Sequence, residues 1–346
     1  MTIIIAILAF CVIIIIHELG HFTAAKLCGI QVNEFAIGMG PVIFRKQGKE
    51  TAYVIRLLPI GGSVSMEGED ASSDNPRAFN RKPVWQRMIV IVAGAAMNLV
   101  LGFFVVMISL GLTETIATTT VSSFREQAVS SSQLMVGDRI TKIDGLSVFT
   151  SSDIIYKLQS GVDKNEHGNL VFDFTVERNG EKVVLNDVEF TSAVYEDGSS
   201  SIYFDFTVQP MEKNFVNMVS ESFKESVSTG RLIIMTLFDM LRGRYGINDL
   251  SGPVGVVGVV AESVKYDPSV FFNIVALITI NVGVFNLLPI PALDGCRFLF
   301  LVIELIRRKP MKPEVEGMVH FIGFALLMLL MLVVTFNDIA RLFTGG

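Results

Sequence analysis

Charged residues are scarce in this sequence, and cysteine and tryptophan are rare. Of its 346 residues, 18% are charged and 51% are hydrophobic, which gives a mean hydropathy of +0.53. That composition argues against an ordinary soluble enzyme and favours several apolar runs that can cross a bilayer. The net charge of −6 argues against nucleic acid as a partner. The three cysteines (Cys11, Cys28 and Cys296) form no CxxC pair or disulfide framework and are interpreted as small buried hydrophobes.

No basic residue precedes the first apolar run. A secretory signal peptide begins with a basic segment, so that interpretation is rejected for this run. Four segments instead approach the ~20 residues that span a hydrocarbon core. They are residues 3–27, 88–112, 271–290 and 318–336. The sequence therefore predicts an α-helical polytopic membrane protein with about four transmembrane helices, which has the lipid bilayer as a partner.

Lysine and arginine are concentrated in two connections between these segments. Residues 26–87 carry nine of them, and residues 297–312 carry five. The positive-inside rule places both connections in the cytoplasm, and both termini and the long middle region outside. The sequence thus predicts a multi-pass protein of a cytoplasmic membrane.

The middle of the chain predicts a separate β-rich domain at residues 113–210. Alternating apolar residues (Phe172, Phe174 and Val176) and Gly-containing turns are typical of strands and hairpins. The individual signals are a strand before Asp144-Gly145, a short helix closed by Gly161, a hairpin at Asn179-Gly180 and a strand at SIYFDFTV. The other predicted parts are residues 1–112 and 271–346, the two halves of a membrane core, and residues 211–270, amphipathic linker helices. Within the linker, SGPVGVVGVV predicts a loop and a surface-lying segment rather than a fifth span.

His17, Glu18 and His21 stand behind four isoleucines inside the first apolar segment. Residues four apart share one helix face, so the two imidazoles can bind one metal ion while Glu18 lies beside them. Ionisable groups inside a bilayer cost roughly 2.5–3.5 kcal/mol each and are normally retained for function. The alternative is a structural role in hydrogen bonds to neighbouring helices.

A catalytic zinc site usually has three protein ligands, so two histidines leave it incomplete. Asp294, in NLLPIPALDG, is the preferred third ligand. Pro289 and Pro291 forbid a regular helix there, and irregular backbone at membrane depth is tolerated where it lines a cavity. The alternative ligands are Glu304, expected to be a solvated or paired charge, and His167 and His320, expected to be satisfied polar residues.

In this order, these motifs resemble the site-2 zinc metalloproteases of regulated intramembrane proteolysis, in their bacterial RseP-like branch with one PDZ domain. The resemblance covers nearly the whole chain. It rests on HELGH, GIQVNEFAIGMGP, LLPIGGSVSMEGED, the second segment with Asn98, LMVGDRITKIDG, LSGPVG and NLLPIPALDG. It implies that His17, His21 and Asp294 bind one zinc ion, that Glu18 is the catalytic base, and that Asn286 contacts the substrate.

The resemblance also implies an activity and a place for it. The expected reaction is hydrolysis of peptide bonds within transmembrane segments of single-span membrane proteins, such as anti-sigma factors or remnant signal peptides. The active site is expected toward the cytoplasm of a bacterial inner membrane, with the PDZ-like domain outside. The chain departs from the family pattern in AGAAMN, where a proline commonly follows the glycine, and at Ser63 and Ser65, where a bulkier pair is usual.

Two segments bear on how a substrate is selected. In RLLPIGGSVSME we expect Gly61-Gly62 to turn the chain and Ser63, Val64, Ser65 and Met66 to form an exposed edge strand near the site. An unwound substrate can add to such an edge by main-chain pairing from Gly62 onward. The alternative is an ordinary cytoplasmic hairpin. The stretch SSFREQAVSSSQL lacks a Gly-rich carboxylate-binding loop, which favours a size filter over a peptide receptor.

Two other classes of protein are the alternatives to a protease. A metal or proton transporter needs ionisable residues in several helices. Residues 88–112 and 321–336 contain no Asp, Glu, Lys, Arg or His, which disfavours a transporter. Retention of Glu18 and Asp294 argues against a catalytically inactive PDZ scaffold.

Overall fold

The computed structural model describes residues 1–69, 73–160, 169–194, 200–244 and 251–344. Its helices are α1 Thr2–Leu27, α2 Val84–Leu112, α3 Ser151–Gln159, α4 Phe215–Leu241, α5 Pro253–Ser263, α6 Pro268–Leu287, α7 Asp294–Arg307 and α8 Pro313–Thr344. Its strands are β1 Val32–Gln47, β2 Ala52–Met66, β3 Ile116–Phe124, β4 Arg139–Ile143, β5 Leu146–Ser147, β6 Leu170–Arg178, β7 Glu181–Phe190, β8 Ser192–Val194, β9 Ser200–Ile202 and β10 Phe206–Met211. The chain divides into a membrane unit, Met1–Val105 with Ile233–Gly346, and a β unit, Val106–Leu232.

The structure confirms four helices that are long and apolar enough to cross a membrane. They are α1, α2, α6 and the Glu314–Ala340 part of α8. Helix α6 ends at Leu287, earlier than predicted. Pro289 and Pro291 follow directly, and proline has no N–H with which to continue a helix. Helix α8 extends beyond both predicted ends.

Glycine brings the membrane helices into close contact. A Cβ atom at Gly20 of α1 would overlap the carbonyl oxygen of Ala93 on α2. A Cβ at Gly283 of α6 would lie 3.0 Å from the Leu99 side chain of α2. Small residues let helix backbones approach closely in a membrane, where van der Waals packing drives helix association. The glycines of α1, α2 and α6 therefore determine how near the polar groups of these helices come to one another.

The prediction for SGPVGVVGVV was partly wrong. The segment forms a regular helix, α5, rather than a loop, and it is too short to be a fifth span. Val260 and Ala261 of α5 are buried in a cluster with Ala6 of α1, and Phe271 of α6 packs against it. The small apolar side chains of this segment thus fill a space between helices.

Strands β1 and β2 form an antiparallel pair that runs from Val32 opposite Met66 to Gln47 opposite Ala52. The register also places residues 34–37 beside residues 52–55, so the first part of β1 has β2 residues on both sides. Ala36, Ala52 and Val54 are buried within this curled hairpin. In contrast, each of residues 62–66 has a single β1 partner in the described pairing.

The β unit has its own sheet and core. The strand order is β10-β3-β4-β6-β7, and β5 pairs with β4 beside this path. Leu170, Phe172, Phe174 and Val176 alternate as buried residues along β6, which confirms the predicted face. Phe190 stacks on Phe174 with ring centroids 5.9 Å apart. Aromatic packing of this kind gives the unit a core independent of the membrane helices.

The predicted turns of the β unit are confirmed. Asp144-Gly145 and Asn179-Gly180 all have positive φ angles, as tight turns of this sequence require. The predicted helix is α3, which a capping box of Thr150 and Asp153 opens. The prediction of one strand at SIYFDFTV was wrong, because the chain forms two strands there, β9 and β10. Gly161 and His167 lie outside the described residues.

Candidate metal centre

Helix α1 brings two imidazole rings together. His17 and His21 lie one helical turn apart, and their Nε2 atoms are 3.2 Å from each other. The ring centroids are 4.8 Å apart in an edge-on arrangement. The i, i+4 spacing places both rings on one face of the helix, as the sequence predicts. That face points toward α2, because His21 Nδ1 donates to the Val90 carbonyl oxygen at 2.9 Å.

Asp294 joins the two histidines from the far end of the chain. It is the first residue of α7, after the loop that contains Pro289 and Pro291. Its Oδ2 atom lies 3.1 Å from His17 Nε2 and 3.2 Å from His21 Nε2. Gly295 permits this position, because a Cβ there would overlap the Leu288 carbonyl oxygen at the end of α6. Helix α7 therefore starts directly against the end of α6.

The three atoms form a nearly equilateral triangle that fits a zinc ion. Zinc bonds of about 2.0–2.1 Å at tetrahedral angles place donor atoms about 3.3 Å apart, close to the observed 3.1–3.2 Å. Asp294 Oδ2 is buried and makes no hydrogen bond. Among the described residues, His17, His21 and Asp294 are the group of His, Cys, Asp or Glu side chains that could hold a metal ion.

The charges of the site also favour a cation. The Val90 carbonyl only accepts hydrogen bonds, so His21 carries its proton on Nδ1 and turns the Nε2 lone pair toward Asp294. A carboxylate and an imidazole lone pair facing each other at this distance attract a positive ion.

Two α2 residues at the site carry no role in the sequence prediction. A Cβ at Gly94 would overlap His21 Nε2 and lie 2.9 Å from His17 Cε1. Asn98 is fully buried, and its Nδ2 atom lies 3.3 Å from His17 Nδ1. The available signal was the pattern itself, a glycine and an amide four residues apart in the apolar part of α2, residues 88–112. The residues they contact lie on α1, so the sequence of α2 alone does not show which residues those are.

Glu18 lies between the histidines and the β1–β2 hairpin. A Cβ added at Gly62 would be 2.8 Å from Glu18 Cγ and 3.4 Å from Ile14 Cγ2. The backbone of β2 therefore passes directly over the glutamate. Only glycine leaves room for Glu18 at this position, so the hairpin and the carboxylate are in close contact.

The segment predicted as an edge strand is the end of β2. Ser63, Val64 and Ser65 pair with Ala36, Phe35 and Glu34 of β1 on one side, and Ser63 and Ser65 are exposed. Met66 is buried. The predicted chain reversal at Gly61-Gly62 was wrong, because both glycines lie inside β2. Gly61 has a φ of +82°, which bends the strand without ending it.

The remaining described sequence candidates have polar partners outside the triangle. Asn286 donates from Nδ2 to the Val282 carbonyl of its own helix at 2.9 Å. Glu304 forms an ion pair with Arg87, 2.5 Å between nearest atoms, so the expectation of a paired charge is confirmed. His320 accepts through Nδ1 from the Ala292 backbone N–H at 3.2 Å.

A cavity of about 430 Å³ opens beside Asp294. Leu293, Phe321 and Phe324 are among the residues that line it. Its walls come from the α6–α7 loop, α7 and α8. Asp294, Arg297 and His320 also line it, so the cavity is mixed in character. Its apolar part can accept an apolar side chain close to the metal-ligating atoms.

Comparisons with known proteins give one consistent result. A sequence profile described as Peptidase family M50 matches residues 5–330. A chain of Clostridium acetobutylicum is 38% identical over 98% of this chain and 97% of its own. The regulator of sigma-W protease RasP of Bacillus subtilis is 31% identical over 99% of both chains. The zinc metalloprotease RasP of Geobacillus kaustophilus is 32% identical over 97% of both.

Proposed function

The chain belongs to peptidase family M50, the site-2 protease family, and we propose that this zinc metalloprotease cleaves peptide bonds within transmembrane segments of single-span membrane proteins. The observation that carries the proposal is the triangle of His17, His21 and Asp294 with Glu18 beside it, in which the histidines and the glutamate belong to α1, a helix apolar enough to span a membrane. Ionisable groups at such a depth are costly and mark function.

Each residue of the site has a proposed role. His17, His21 and Asp294 bind one zinc ion, which when bound supplies Lewis-acid activation of water. Glu18 is the general base: it accepts a proton from the attacking water and passes it to the leaving amine. Adjacent residues point about 100° apart on a helix, so Glu18 lies beside the ligands without being one.

The end of β2 is the proposed docking edge for the substrate. A transmembrane helix keeps its peptide bonds in internal hydrogen bonds, so a segment must unwind before it is cut. Within the described strand pairing, the side of Gly62, Ser63, Val64 and Ser65 away from β1 offers main-chain groups to an unwound segment. Met66 ends this edge, because its own N–H and carbonyl bond to Glu69. Gly62 lies against Glu18, so a segment paired at this edge would run next to the catalytic base.

Two further features support substrate contact near the triangle. The cavity lined by Leu293, Phe321 and Phe324 suits an apolar side chain of a membrane segment. Asn286, near the end of α6, is proposed to contact the substrate through its amide oxygen, because its amide nitrogen donates to the Val282 carbonyl.

Anti-sigma factors and remnant signal peptides are the proposed substrate classes. The Bacillus subtilis relative is named a regulator of sigma-W protease, which is in keeping with the first class.

The β unit is proposed to be a PDZ-like size filter on the extracytoplasmic side, with the active site toward the cytoplasm. The turn after β3 supports a filter rather than a peptide receptor. Asp205, directly before β10, is buried and accepts from the Ser130 backbone N–H of this turn at 3.0 Å and from the Ser130 hydroxyl at 2.7 Å. A carboxylate of the chain itself thus already takes the Ser130 donors, which leaves them unable to bind a peptide carboxylate.

The filter has a direct test. Val121 pairs with Val208 and Ala117 with Pro210, so deletion of residues 121–209 joins chain ends that lie on neighbouring antiparallel strands. The deleted protein should keep its zinc and cleave substrates with large ectodomains that the full chain rejects. A folded, zinc-loaded deletion that cleaves no substrate would contradict the filter.

The Glu18→Gln exchange tests the catalytic proposal. It keeps the size of the side chain and removes the basic carboxylate, so zinc content should stay at one ion per chain. Cleavage of a single-span substrate should fall by roughly 10²–10⁴-fold, the contribution of general acid–base catalysis. Glu34→Gln is the matched control, because Glu34 pairs with Arg56 on the hairpin, and it should cleave normally. Wild-type cleavage by zinc-loaded Glu18→Gln protein would refute the mechanism.

A further inference from the structure

Burial of the Asn98 amide in α2 is unfavourable. It and Ser109 are the only polar side chains between Met88 and Leu112. Asn98 is 0% exposed, and its Oδ1 atom is buried without a hydrogen-bond partner. A buried polar atom left unsatisfied costs about 1–3 kcal/mol. Such a residue in an apolar helix calls for a function that leucine would not supply.

The group that Asn98 faces is the outer nitrogen of a proposed metal ligand. His17 directs Nε2 toward His21 and Asp294, and its Nδ1 lies 3.3 Å from Asn98 Nδ2. A neutral imidazole carries one proton, so an Nε2 lone pair requires the proton on Nδ1. That N–H then needs an acceptor, and the amide of Asn98 is the polar group in contact with it.

His21 shows what the acceptor does. Its Nδ1 donates to the Val90 carbonyl oxygen, which fixes the tautomer and the ring plane. The Asn98 amide has a carbonyl oxygen of the same kind at its other end. Oxygen and nitrogen of the amide have nearly the same shape, so a 180° rotation about the Cβ–Cγ bond exchanges them within the same space. The oxygen that now lacks a partner then faces His17 Nδ1.

We propose that Asn98 is a positioning residue whose amide oxygen accepts the Nδ1–H of His17 and so holds the Nε2 lone pair toward the metal. The two histidines then have equivalent outer partners on α2, a backbone carbonyl for His21 and a side-chain carbonyl for His17. This inference rests on the proposed ligand role of His17.

The decisive measurement is zinc affinity, obtained by competition with a chelator. Asn98→Leu keeps the shape and removes the acceptor, so affinity should fall by about 10–100-fold, as for other outer partners of metal ligands. Asn98→Asp offers oxygen acceptors in both orientations and should bind zinc at least as tightly as the wild type. If Asn98 instead donates to Nδ1, Asn98→Asp must lose affinity, and that result would overturn the proposal.

A matched control separates positioning from packing. Thr279 on α6 is equally buried, and its hydroxyl bonds to the Val275 carbonyl of its own helix. Thr279→Val also removes a buried polar group, and its zinc affinity should be unchanged. Wild-type affinity in Asn98→Leu would refute the role of Asn98, whereas a wild-type chain that binds no zinc would refute the proposed metal site itself. If Asn98→Leu fails to fold, the comparison of Asn98→Asp with the wild type still decides between acceptor and donor.

Discussion

Two aspartates at the starts of helices have opposite surroundings. Asp153, in the first turn of α3 in the β unit, is 0% exposed and accepts from the backbone N–H groups of Phe149 and Thr150. It also accepts from the Ser228 hydroxyl and from Arg231, 2.5 Å away. Asp294, at the start of α7, has a buried oxygen without a hydrogen bond beside two imidazoles.

The comparison distinguishes a carboxylate that stabilises the fold from one that is available to bind a ligand. Every oxygen of Asp153 is used within the β unit, so its charge is compensated by groups that are always present. The negative charge on the free oxygen of Asp294 is compensated only when a cation occupies the triangle. A satisfied buried carboxylate therefore indicates a structural role here, and an unsatisfied one next to histidine indicates a ligand.

Removal of Asp294 should have the largest effect. Asp294→Ala leaves two imidazoles, so zinc should fall from one ion per chain to nearly none, and cleavage should stop. His17→Ala and His21→Ala should behave in the same way. Metal analysis of the purified protein and cleavage of a single-span substrate measure both effects. Glu304→Ala, which breaks only the pair with Arg87, should keep its zinc; the reverse pattern would move the third ligand to Glu304.

A methyl group at position 94 should have the next largest effect. Gly94→Ala places a Cβ against His21 Nε2 and His17 Cε1, so the rings must move and zinc affinity should fall by more than about 10-fold. Gly102→Ala on the same helix is the control, because the atom nearest to its Cβ would be Cγ1 of the flexible Ile280 side chain, at 2.5 Å, and not a histidine of the site. Equal affinities in a chelator titration of the two variants would show that Gly94 has no special relation to the site.

Removal of Asp153 should destabilise the β unit and leave the zinc site intact. Asp153→Ala leaves Arg231 without its buried partner and removes the capping box of α3. The stability of the β unit should fall by about 3–5 kcal/mol, as when one partner of a buried ion pair is removed. Hydrogen exchange of the β-unit amides measures this loss. Glu177→Ala breaks an exposed pair with Arg139 and should cost no more than about 1 kcal/mol. Loss of zinc in Asp153→Ala would show that Asp153 also supports the zinc site, contrary to the separate roles assigned to the two aspartates.

Features that depend on neighbours in sequence were predicted well. The spans followed from runs of apolar residues, and the turns at Asp144-Gly145 and Asn179-Gly180 followed from residues that tolerate positive φ. The shared face of His17 and His21 followed from helical spacing alone. Less regular segments were predicted less well: Gly61 and Gly62 bend a strand rather than end it, and SGPVGVVGVV is a packed helix.

By itself the sequence determined the four apolar spans, the imidazole pair on α1 and the break after α6, because each depends on periodicity, composition or proline within one segment. The sequence favoured Asp294 as the partner of that pair but left Glu304, His167 and His320 as alternatives. Only the tertiary structure decided that Asp294 meets the pair, that Gly94 makes room for it, and that Asn98 faces His17. The physical reason is that these contacts join helices distant in the chain. Their distances depend on where glycine lets helix backbones approach each other. The sequence pattern of one helix does not show which residue of another helix lies opposite it.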